Sequence, residues 1–180
     1  MIFVATPLPG AFVVELEQQA DDRGYFARAW CQREFAAMGL SHEVVQCNVS
    51  HTTRRGTLRG MHWQEAPYGE AKLVRCTRGS IWDVIIDLRP KSPTYTRHFA
   101  IELNSVSGRA LFVPEGFAHG FVTLEDDTDV FYQMSQFYEP NAARGVRWND
   151  PAFGIAWPIS DPLLHPRDAH YPDFVRESKP

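Results

Sequence analysis

The sequence lacks any hydrophobic run long enough to cross a bilayer as a helix, although it contains 180 residues. Its first residues also lack the basic and apolar pattern of a cleaved signal peptide. Cysteine is scarce: Cys31, Cys47 and Cys76 are an odd number, and their spacing is not that of a metal site. These absences predict reduced thiols, a cytoplasmic location and no membrane partner.

The sequence also lacks blocks of charge of one sign. Its 18 lysines and arginines are scattered among 22 acidic residues, and the net charge is −4. Nucleic-acid-binding proteins cluster their basic residues, so we expect no nucleic acid partner. The composition, 44% hydrophobic and 22% charged, is that of an ordinary globular protein. Because no linker, repeat or low-complexity segment divides the chain, residues 1–180 are predicted to form a single domain.

Helical periodicity is rare, and only residues 32–38 show it clearly in the first half. Phe35 and Met38 there form an apolar stripe, and Gly39 is placed to cap the helix. The 13 prolines and 12 glycines are spread among short strand-like segments, which predicts an all-β sandwich or small barrel.

The Pro-rich, aromatic residues from 148 onward predict a wrapping tail with a short helix near 162–169. The predicted strands are 11–15, 25–30, 45–50, 73–77, 80–88, 98–103, 109–113, 119–124 and 129–137.

The strand predicted at 45–50 alternates apolar and polar side chains. Its polar face has two possible positions: in solvent at the protein surface, or inside a barrel where it lines a binding pocket. The alternating residues are Val45, Gln46, Cys47, Asn48, Val49 and Ser50.

The segment GTLRGMHWQ at 56–64 places a guanidinium and an imidazole three residues apart in a predicted strand. A fixed cation beside a group that exchanges protons suits an enzyme with an anionic substrate. An isolated pair of this kind is more often a surface arginine and a hydrogen-bonded histidine. A regular strand would send Arg59 and His62 to opposite faces, so a shared pocket predicts a bulge at Gly60.

The segment 108–119 matches the second sequence motif of the cupin barrels, with glycine, proline, glycine and histidine in register. Many cupins bind a metal through His-x-His, a glutamate and the histidine that His119 matches here. In this chain the first motif is HWQ at 62–64, so the second ligand is missing. Only Glu65 or Glu70 remains as a third ligand, which makes a poor transition-metal site. We therefore predict the barrel without a metal.

Nine motifs together resemble the dTDP-4-dehydrorhamnose 3,5-epimerase family, in the family's order and over essentially the whole chain. The resemblance implies a double-stranded β-helix (cupin or jelly-roll barrel) with a few short helices and an irregular C-terminal tail. It also implies a cofactor-free epimerase whose substrate is a nucleotide-diphospho-4-keto-6-deoxyhexose. The motifs are DRGYF (22–26), QCN (46–48), GTLRGMH (56–62), KLVR (72–75), DVIIDLR (83–89), SPTY (92–95), VPEGFAHGF (113–121), WNDP (148–151) and RDAHYP (167–172).

The resemblance implies four catalytic residues. His62 would be the base, and Asp168 would orient its ring and stabilise the imidazolium. Tyr132 would be the acid on the opposite face of the sugar, and Lys72 the cation near the enolate oxygen.

The resemblance also implies a substrate-binding set that is shared across a homodimer with exchanged N-terminal strands. Arg59 and, from the neighbouring subunit, Arg23 would hold the diphosphate, because guanidinium groups bind it bidentately. Tyr138 would stack on the nucleotide base. The other substrate-binding positions are Phe26 from the partner chain, Arg28, Gln46, Asn48, His119 and Arg167, which stands where the family usually has Lys.

Two departures from the family concern the nucleotide. Arg28 and Ala143 stand where thymidine-specific members often have Glu, so CDP-, UDP- and GDP-linked sugars remain open. Epimerisation at C3, at C5 or at both also remains open. A 3,4-ketoisomerase of the same barrel class, a metal-dependent cupin and a non-catalytic sugar-nucleotide-binding cupin are the alternatives.

Taken singly, each proposed catalytic residue has an ordinary structural interpretation. Tyr132 would be a core aromatic residue, Lys72 a surface lysine, Asp168 a solvated ion-pair partner and His119 a hydrogen-bonded core histidine. Asp83, on the inner face of its predicted strand, is a candidate partner for Lys72 or His119. The functional interpretation rests on all of these residues occurring together in the family's order.

Overall fold

The computed structural model describes residues 1–41 and 43–176, and the structural statements below concern these residues. None of the described helices is long and apolar enough to span a membrane. In chain order the elements are β1 (Ile2–Ala5), β2 (Phe12–Glu15), β3 (Gln19–Asp21), β4 (Gly24–Phe26), α1 (Gln32–Ala37), β5 (Gln46–Thr52), β6 (Thr57–Gln64), β7 (Lys72–Arg78), β8 (Ser80–Asp87), β9 (His98–Asn104), β10 (Ala110–Val113), β11 (Phe117–Thr123), β12 (Thr128–Met134), β13 (Ala143–Gly145), β14 (Leu163–Leu164) and α2 (Pro166–Ala169).

Most strands belong to two sheets that face each other. The first sheet has the order β1-β2-β10-β7-β12-β5; the second has the order β13-β6-β11-β8-β9, with β14 added in parallel to β6. A buried core between the sheets includes Val74 and Val130 from the first sheet and Ile85 and Phe121 from the second. Strands that are distant in sequence, such as β2 and β10, are neighbours in the sheet. The fold is a double-stranded β-helix, as predicted.

Strand β8 is buried on both faces, which explains its nearly continuous apolar sequence. Ile81 and Ile85 belong to the core between the sheets, whereas Val84 and Ile86 pack on the outer side of the second sheet. Tail residues such as Phe153 cover that outer side. Each of these large apolar side chains contributes about 1.5–3 kcal/mol by its burial. The tail therefore wraps the barrel, as its aromatic composition predicts.

Helix α1 confirms the helix predicted at 32–38, and Gly39 follows it with a φ of +69°. Phe35 is buried against Phe112 on the outer side of the first sheet. Met38 is 43% exposed, so the predicted two-residue apolar stripe is wrong. The physical reason is that Met38 is the C-cap of a helix of six residues and lies beyond the apolar patch that Phe35 covers.

Two predicted strands are longer than the observed ones. The prediction 25–30 corresponds to β4, which ends at Phe26 because its only partner in the two-stranded hairpin, β3, has three residues. The prediction 129–137 corresponds to β12, which ends at Met134, opposite the first residue of β5. A strand ends where its partner does, and periodicity alone does not reveal the partner.

Helix α2 brings the tail back onto β6, and it confirms the short helix predicted near 162–169. His165 is its N-cap and accepts a hydrogen bond from the Arg167 N–H at 3.2 Å, while Pro166 occupies the first turn. Asp168 is buried and accepts a hydrogen bond from the Gly60 N–H at 3.3 Å. The cap and this bond fix where the carboxylate lies.

Strand β6 is irregular at Gly60, as the sequence predicts. His62 pairs with His119 but Arg59 pairs with Phe121, so three steps along β6 match two along β11. Gly60 has a φ of +135°, and a Cβ there would lie 2.5 Å from a backbone carbon of β11. The bulge lets Arg59 and His62 line the same cavities.

Gly60→Ala is expected to lower the free energy of unfolding by about 3 kcal/mol, through strain at positive φ and contact with β11. Gly154→Ala is a matched control, because Gly154 has a φ of +59° but nothing within 4 Å of an added Cβ. That control should cost only about 1–2 kcal/mol. Urea unfolding measures both variants; equal losses would show that the close approach of β11 contributes nothing.

Candidate active site

A polar pocket lies between the two sheets, beside the apolar core. It consists of two adjoining cavities of about 390 Å³ and 230 Å³, both lined by Asn48, His62 and Lys72. A further cavity of about 680 Å³ reaches His62 and Tyr132 from the side of α2. Strands β5, β7 and β12 of the first sheet and β6 and β11 of the second supply the walls, and the tail adds Arg167.

His62 and Asp168 form a hydrogen-bonded pair, with 2.8 Å between His62 Nε2 and Asp168 Oδ1. Burial opposes ionisation of this carboxyl group, but the hydrogen bond and charge of His62 and the Gly60 N–H together hold the pKa of Asp168 below its ordinary value. Asp168 is therefore a carboxylate at neutral pH. A neutral imidazole that donates Nε2–H to it has its lone pair on Nδ1, and this nitrogen can accept a proton.

Arg167 and Tyr171 complete the surroundings of His62. Arg167 Nη2 lies 3.4 Å from His62 Nε2, and Arg167 Nε lies 3.4 Å from Asp168 Oδ1. The ring of Tyr171 meets the imidazole edge-on, with 6.1 Å between the ring centroids. Sequence reasoning missed Tyr171, which occupies an unspecified position inside the motif RDAHYP. Nothing in the sequence distinguishes Tyr171 from its neighbour His170 as a functional residue.

Tyr132 stands on the opposite sheet from His62, on β12, next to a buried pair of a histidine and an aspartate. Its ring meets that of His119 edge-on at 6.1 Å, and His119 Nε2 lies 2.7 Å from Asp83 Oδ1. Burial raises the pKa of Tyr132, the charge of Asp83 raises it further, and Arg59 opposes the shift. The phenol is therefore protonated at neutral pH. Of the two partners predicted for Asp83, the structure selects His119.

Lys72 is buried inside the pocket, contrary to the ordinary interpretation of a surface lysine. Its ammonium group lies 2.8 Å from Glu70 Oε1 and donates a hydrogen bond to the His62 carbonyl oxygen at 3.3 Å. Both side chains are less than a tenth exposed. A buried charge is costly unless it is paired, so the contact with Glu70 offsets the cost of burying the Lys72 side chain beside His62.

The polar face of β5 points into the pocket, which decides the choice left open by its alternating sequence. Gln46 and Asn48 line the pocket and are hydrogen-bonded to each other at 3.2 Å. The apolar face is on the outside, where Val45 is 39% and Val49 is 69% exposed. Arg59 enters from β6 and is held by the Thr52 hydroxyl at 3.2 Å.

Three of the predicted substrate-binding residues do not reach this pocket within one chain. Arg23 lies at the turn of the β3–β4 hairpin with 90% of its side chain exposed, and Phe26 is 74% exposed. Arg28 is ion-paired with Glu34 at 2.6 Å on the surface. Tyr138 does line the pocket, near its mouth, and is 59% exposed.

Other contacts engage Gln64, which stands at the position of the missing ligand, and the two candidate third ligands, Glu65 and Glu70. The Gln64 amide bonds three backbone groups, at Tyr68, Phe137 and Glu139. Glu70 is paired with Lys72, and Glu65 with Arg144 at 2.9 Å. Within 1–41 and 43–176, no group of three or more His, Cys, Asp and Glu side chains converges as metal ligands would.

The fold and these side chains define a double-stranded β-helix protein with a polar pocket of paired titratable side chains between its sheets. A sequence model of the dTDP-4-dehydrorhamnose 3,5-epimerase family matches residues 5–176. The chain belongs to this family, and it is an isomerase.

Individual relatives agree with that assignment. The chain is 39% identical to dTDP-4-dehydrorhamnose 3,5-epimerase of Shigella flexneri, over 97% of each chain. It is 40% identical to a dTDP-4-dehydrorhamnose 3-epimerase of Streptomyces niveus, over 89% of this chain and 78% of the relative. The crystal structure of the Bacillus anthracis 3,5-epimerase, with TDP and PPi bound, has a TM-score of 0.93 at 37% identity and covers 96% of this chain and 99% of its own.

Proposed function

We propose that the protein inverts C3, C5 or both in a dTDP-linked 4-dehydro-6-deoxyhexose, in deoxysugar biosynthesis. The observation that carries this proposal is the placement of His62 and Tyr132 on opposite sheets around one cavity. A base and an acid on opposite sides of a flat intermediate are what inversion of a carbon centre requires. The names of the relatives, which specify dTDP-linked sugars, support the choice of nucleotide.

The residues account for each proton that moves. The C4 ketone acidifies the neighbouring C–H bonds, and His62 takes the proton through Nδ1 while Asp168 stabilises the resulting imidazolium. The electron pair of the broken C–H bond forms an enolate, whose oxygen is stabilised by Lys72. Tyr132 then donates its phenolic proton to the opposite face of the carbon. The cycle closes when the His62 imidazolium releases its proton to solvent and the Tyr132 phenolate regains a proton from solvent. No electron is transferred, so the reaction needs no redox cofactor, and Lys72 supplies the positive charge that a metal would otherwise bring to the enolate oxygen.

The diphosphate would lie among the arginines of the pocket. Arg59 and Arg167 both line the 680 Å³ cavity with His62, and Arg144 joins Arg167 in lining the 390 Å³ cavity. Ala143 lines the 390 Å³ cavity too, where it offers no carboxylate to the nucleotide. Gln46, Asn48 and His119 would line the sugar channel, and Tyr138 would stack on the nucleotide base at the mouth.

A panel of 4-keto-6-deoxy sugar nucleotides tests both the substrate and the reaction. The proposal predicts turnover of the dTDP-linked sugar, with NMR of the product showing an inverted C3 or C5 and the ketone still at C4. A ketone moved to C3 would identify a 3,4-ketoisomerase. Turnover only of CDP-, UDP- or GDP-linked sugars would overturn the choice of nucleotide, and binding without turnover would identify a non-catalytic sugar-nucleotide-binding protein.

A homodimer explains why Arg23 is exposed and away from the pocket of its own chain. We therefore expect two inactive variants, Arg23→Ala and His62→Ala, to complement each other when they are co-refolded. One pocket of the mixed dimer then has an intact His62 and an intact Arg23 from the other subunit. Half of the dimers are mixed and each has one working pocket, so activity should return to about a quarter of wild type by the additivity of independent sites. Each variant co-refolded with itself is the control; no recovery would contradict the shared pocket.

A further inference from the structure

Tyr171 reaches His62 because the residue opposite His62 in the sheet has no side chain. Gly145 of β13 is the cross-strand partner of His62. Cross-strand partners direct their side chains to the same face, so a side chain at position 145 would lie beside the imidazole. A Cβ on Gly145 would instead meet the Tyr171 ring, only 2.2 Å from its Cζ atom. The ring therefore occupies the space that a side chain at Gly145 would fill.

The backbone on both sides of Tyr171 is fixed to the barrel. Before it, α2 is tied to β6 through Asp168. After it, the Phe174 N–H donates a hydrogen bond to the buried carboxylate of Asp150 at 2.6 Å, and Arg147 pairs with Asp173 at 2.5 Å. The Phe174 ring packs against the outer side of the second sheet. Anchors on both sides hold the tyrosine ring against the imidazole.

We propose that Tyr171 is a positioning residue: its ring, seated on Gly145, restricts the rotation of the His62 imidazole and keeps Nε2 on Asp168 and Nδ1 toward the pocket. This inference rests on the proposed function, in which His62 is the base. His62 needs such support because its side chain is 31% exposed, so burial alone does not fix the orientation of the ring. Burial raises the pKa of Tyr171, so its hydroxyl is neutral and the ring carries no charge to the base.

Tyr171→Ala removes the ring and should leave the imidazole free to turn. Because misplacing a catalytic group by about 1 Å costs on the order of a hundredfold, we expect kcat to fall by about 30-fold or more and KM to change less than about threefold. Tyr171→Phe keeps the ring and should recover most of that loss. A loss confined to KM, or no recovery by phenylalanine, would overturn the positioning role.

Gly145→Ala tests the same contact from the other side. The added methyl group displaces the Tyr171 ring, so kcat should fall about as far as in Tyr171→Ala. In the double variant the methyl group meets no ring, and its activity should equal that of Tyr171→Ala alone. Losses that multiply in the double variant would show that the two residues act independently. Gly69→Ala is the control substitution, because an added Cβ there lies nearest to the flexible end of Glu115, at 3.2 Å from Oε2, and in ordinary contact with the rest of that side chain.

NMR of the His62 ring protons in the unliganded protein gives a readout without turnover. The edge-on tyrosine ring should shift these resonances; the shift should persist in Tyr171→Phe and disappear in Tyr171→Ala and Gly145→Ala. If the wild-type protein turns over none of the 4-keto-6-deoxy sugar nucleotides, the proposed function fails, whatever the NMR shows. If His62→Ala keeps wild-type activity, His62 is not the base and the positioning role fails, although the function stands. If His62→Ala is inactive but Tyr171→Ala and Gly145→Ala keep wild-type kcat, the positioning role alone fails.

Discussion

His62→Ala is expected to abolish the exchange of substrate protons with solvent deuterium at C3 and C5. The variant loses the imidazole that Asp168 orients, at 2.8 Å, and a positioned general base contributes about 10²–10⁴-fold to the rate. The arginines of the pocket remain, so binding of the nucleotide should weaken by less than about tenfold, or 1.4 kcal/mol. Proton NMR of substrate in D2O measures the exchange, and calorimetric titration measures the binding.

The matched control for this variant is His51→Ala. His51 is also paired with an aspartate, Asp129, at 2.7 Å, but its ring is half-exposed on the outer edge of the first sheet. That variant should retain exchange at the wild-type rate. Undiminished exchange in His62→Ala would remove His62 from the mechanism, because the proton would then be taken without the imidazole that Asp168 orients.

Tyr132→Phe should separate exchange from inversion. Phenylalanine keeps the ring and its packing against the core between the sheets, but it removes the proton that the phenol delivers. His62 and Asp168 remain, so the base should still take a proton from the substrate and return deuterium to the same face. The expected product is substrate labelled with deuterium and retained in configuration, with inversion reduced by about 10²–10⁴-fold.

Two other outcomes for Tyr132→Phe would contradict this role. Loss of both exchange and inversion would show that the hydroxyl acts before proton abstraction, in binding or orientation. Inversion at the wild-type rate would show that another acid, or water, works on that face. Tyr68→Phe removes a hydroxyl from a side chain that is 44% exposed and outside the pocket, and it controls for the substitution itself.

The bulge in β6 shows how much of the site local sequence can predict. Arg59 and His62 differ by three, and only an irregular strand places both in one pocket, so the glycine between them marks where the irregularity must be. The alternation along 45–50 predicts a strand but not which face points into the barrel, because the polar face could lie in solvent or line a binding pocket. The inward direction of Gln46 and Asn48 depends on the opposite sheet, which no local pattern describes.

Tyr171 and Glu70 mark the limit of prediction from the sequence. Tyr171 acts through contacts with Gly145 and His62, which are distant from it in the sequence. Glu70 acts through its ion pair with Lys72 inside the pocket. A glycine that makes room for a ring looks the same in sequence as a turn glycine. The exposed position of Met38 is a similar case, since periodicity cannot tell how far a short helix extends over the sheet that it covers.

We propose that one pocket moves protons on and off carbon beside a ketone, without a metal or cofactor. A single experiment examines this proposal: EDTA-treated wild-type protein is incubated with dTDP-4-dehydro-6-deoxyglucose in D2O, and NMR locates deuterium in the product. We expect deuterium at C3, C5 or both, with each labelled carbon inverted, at the rate of untreated protein. Product without deuterium, or activity lost to EDTA and restored by zinc, iron or manganese, would contradict it.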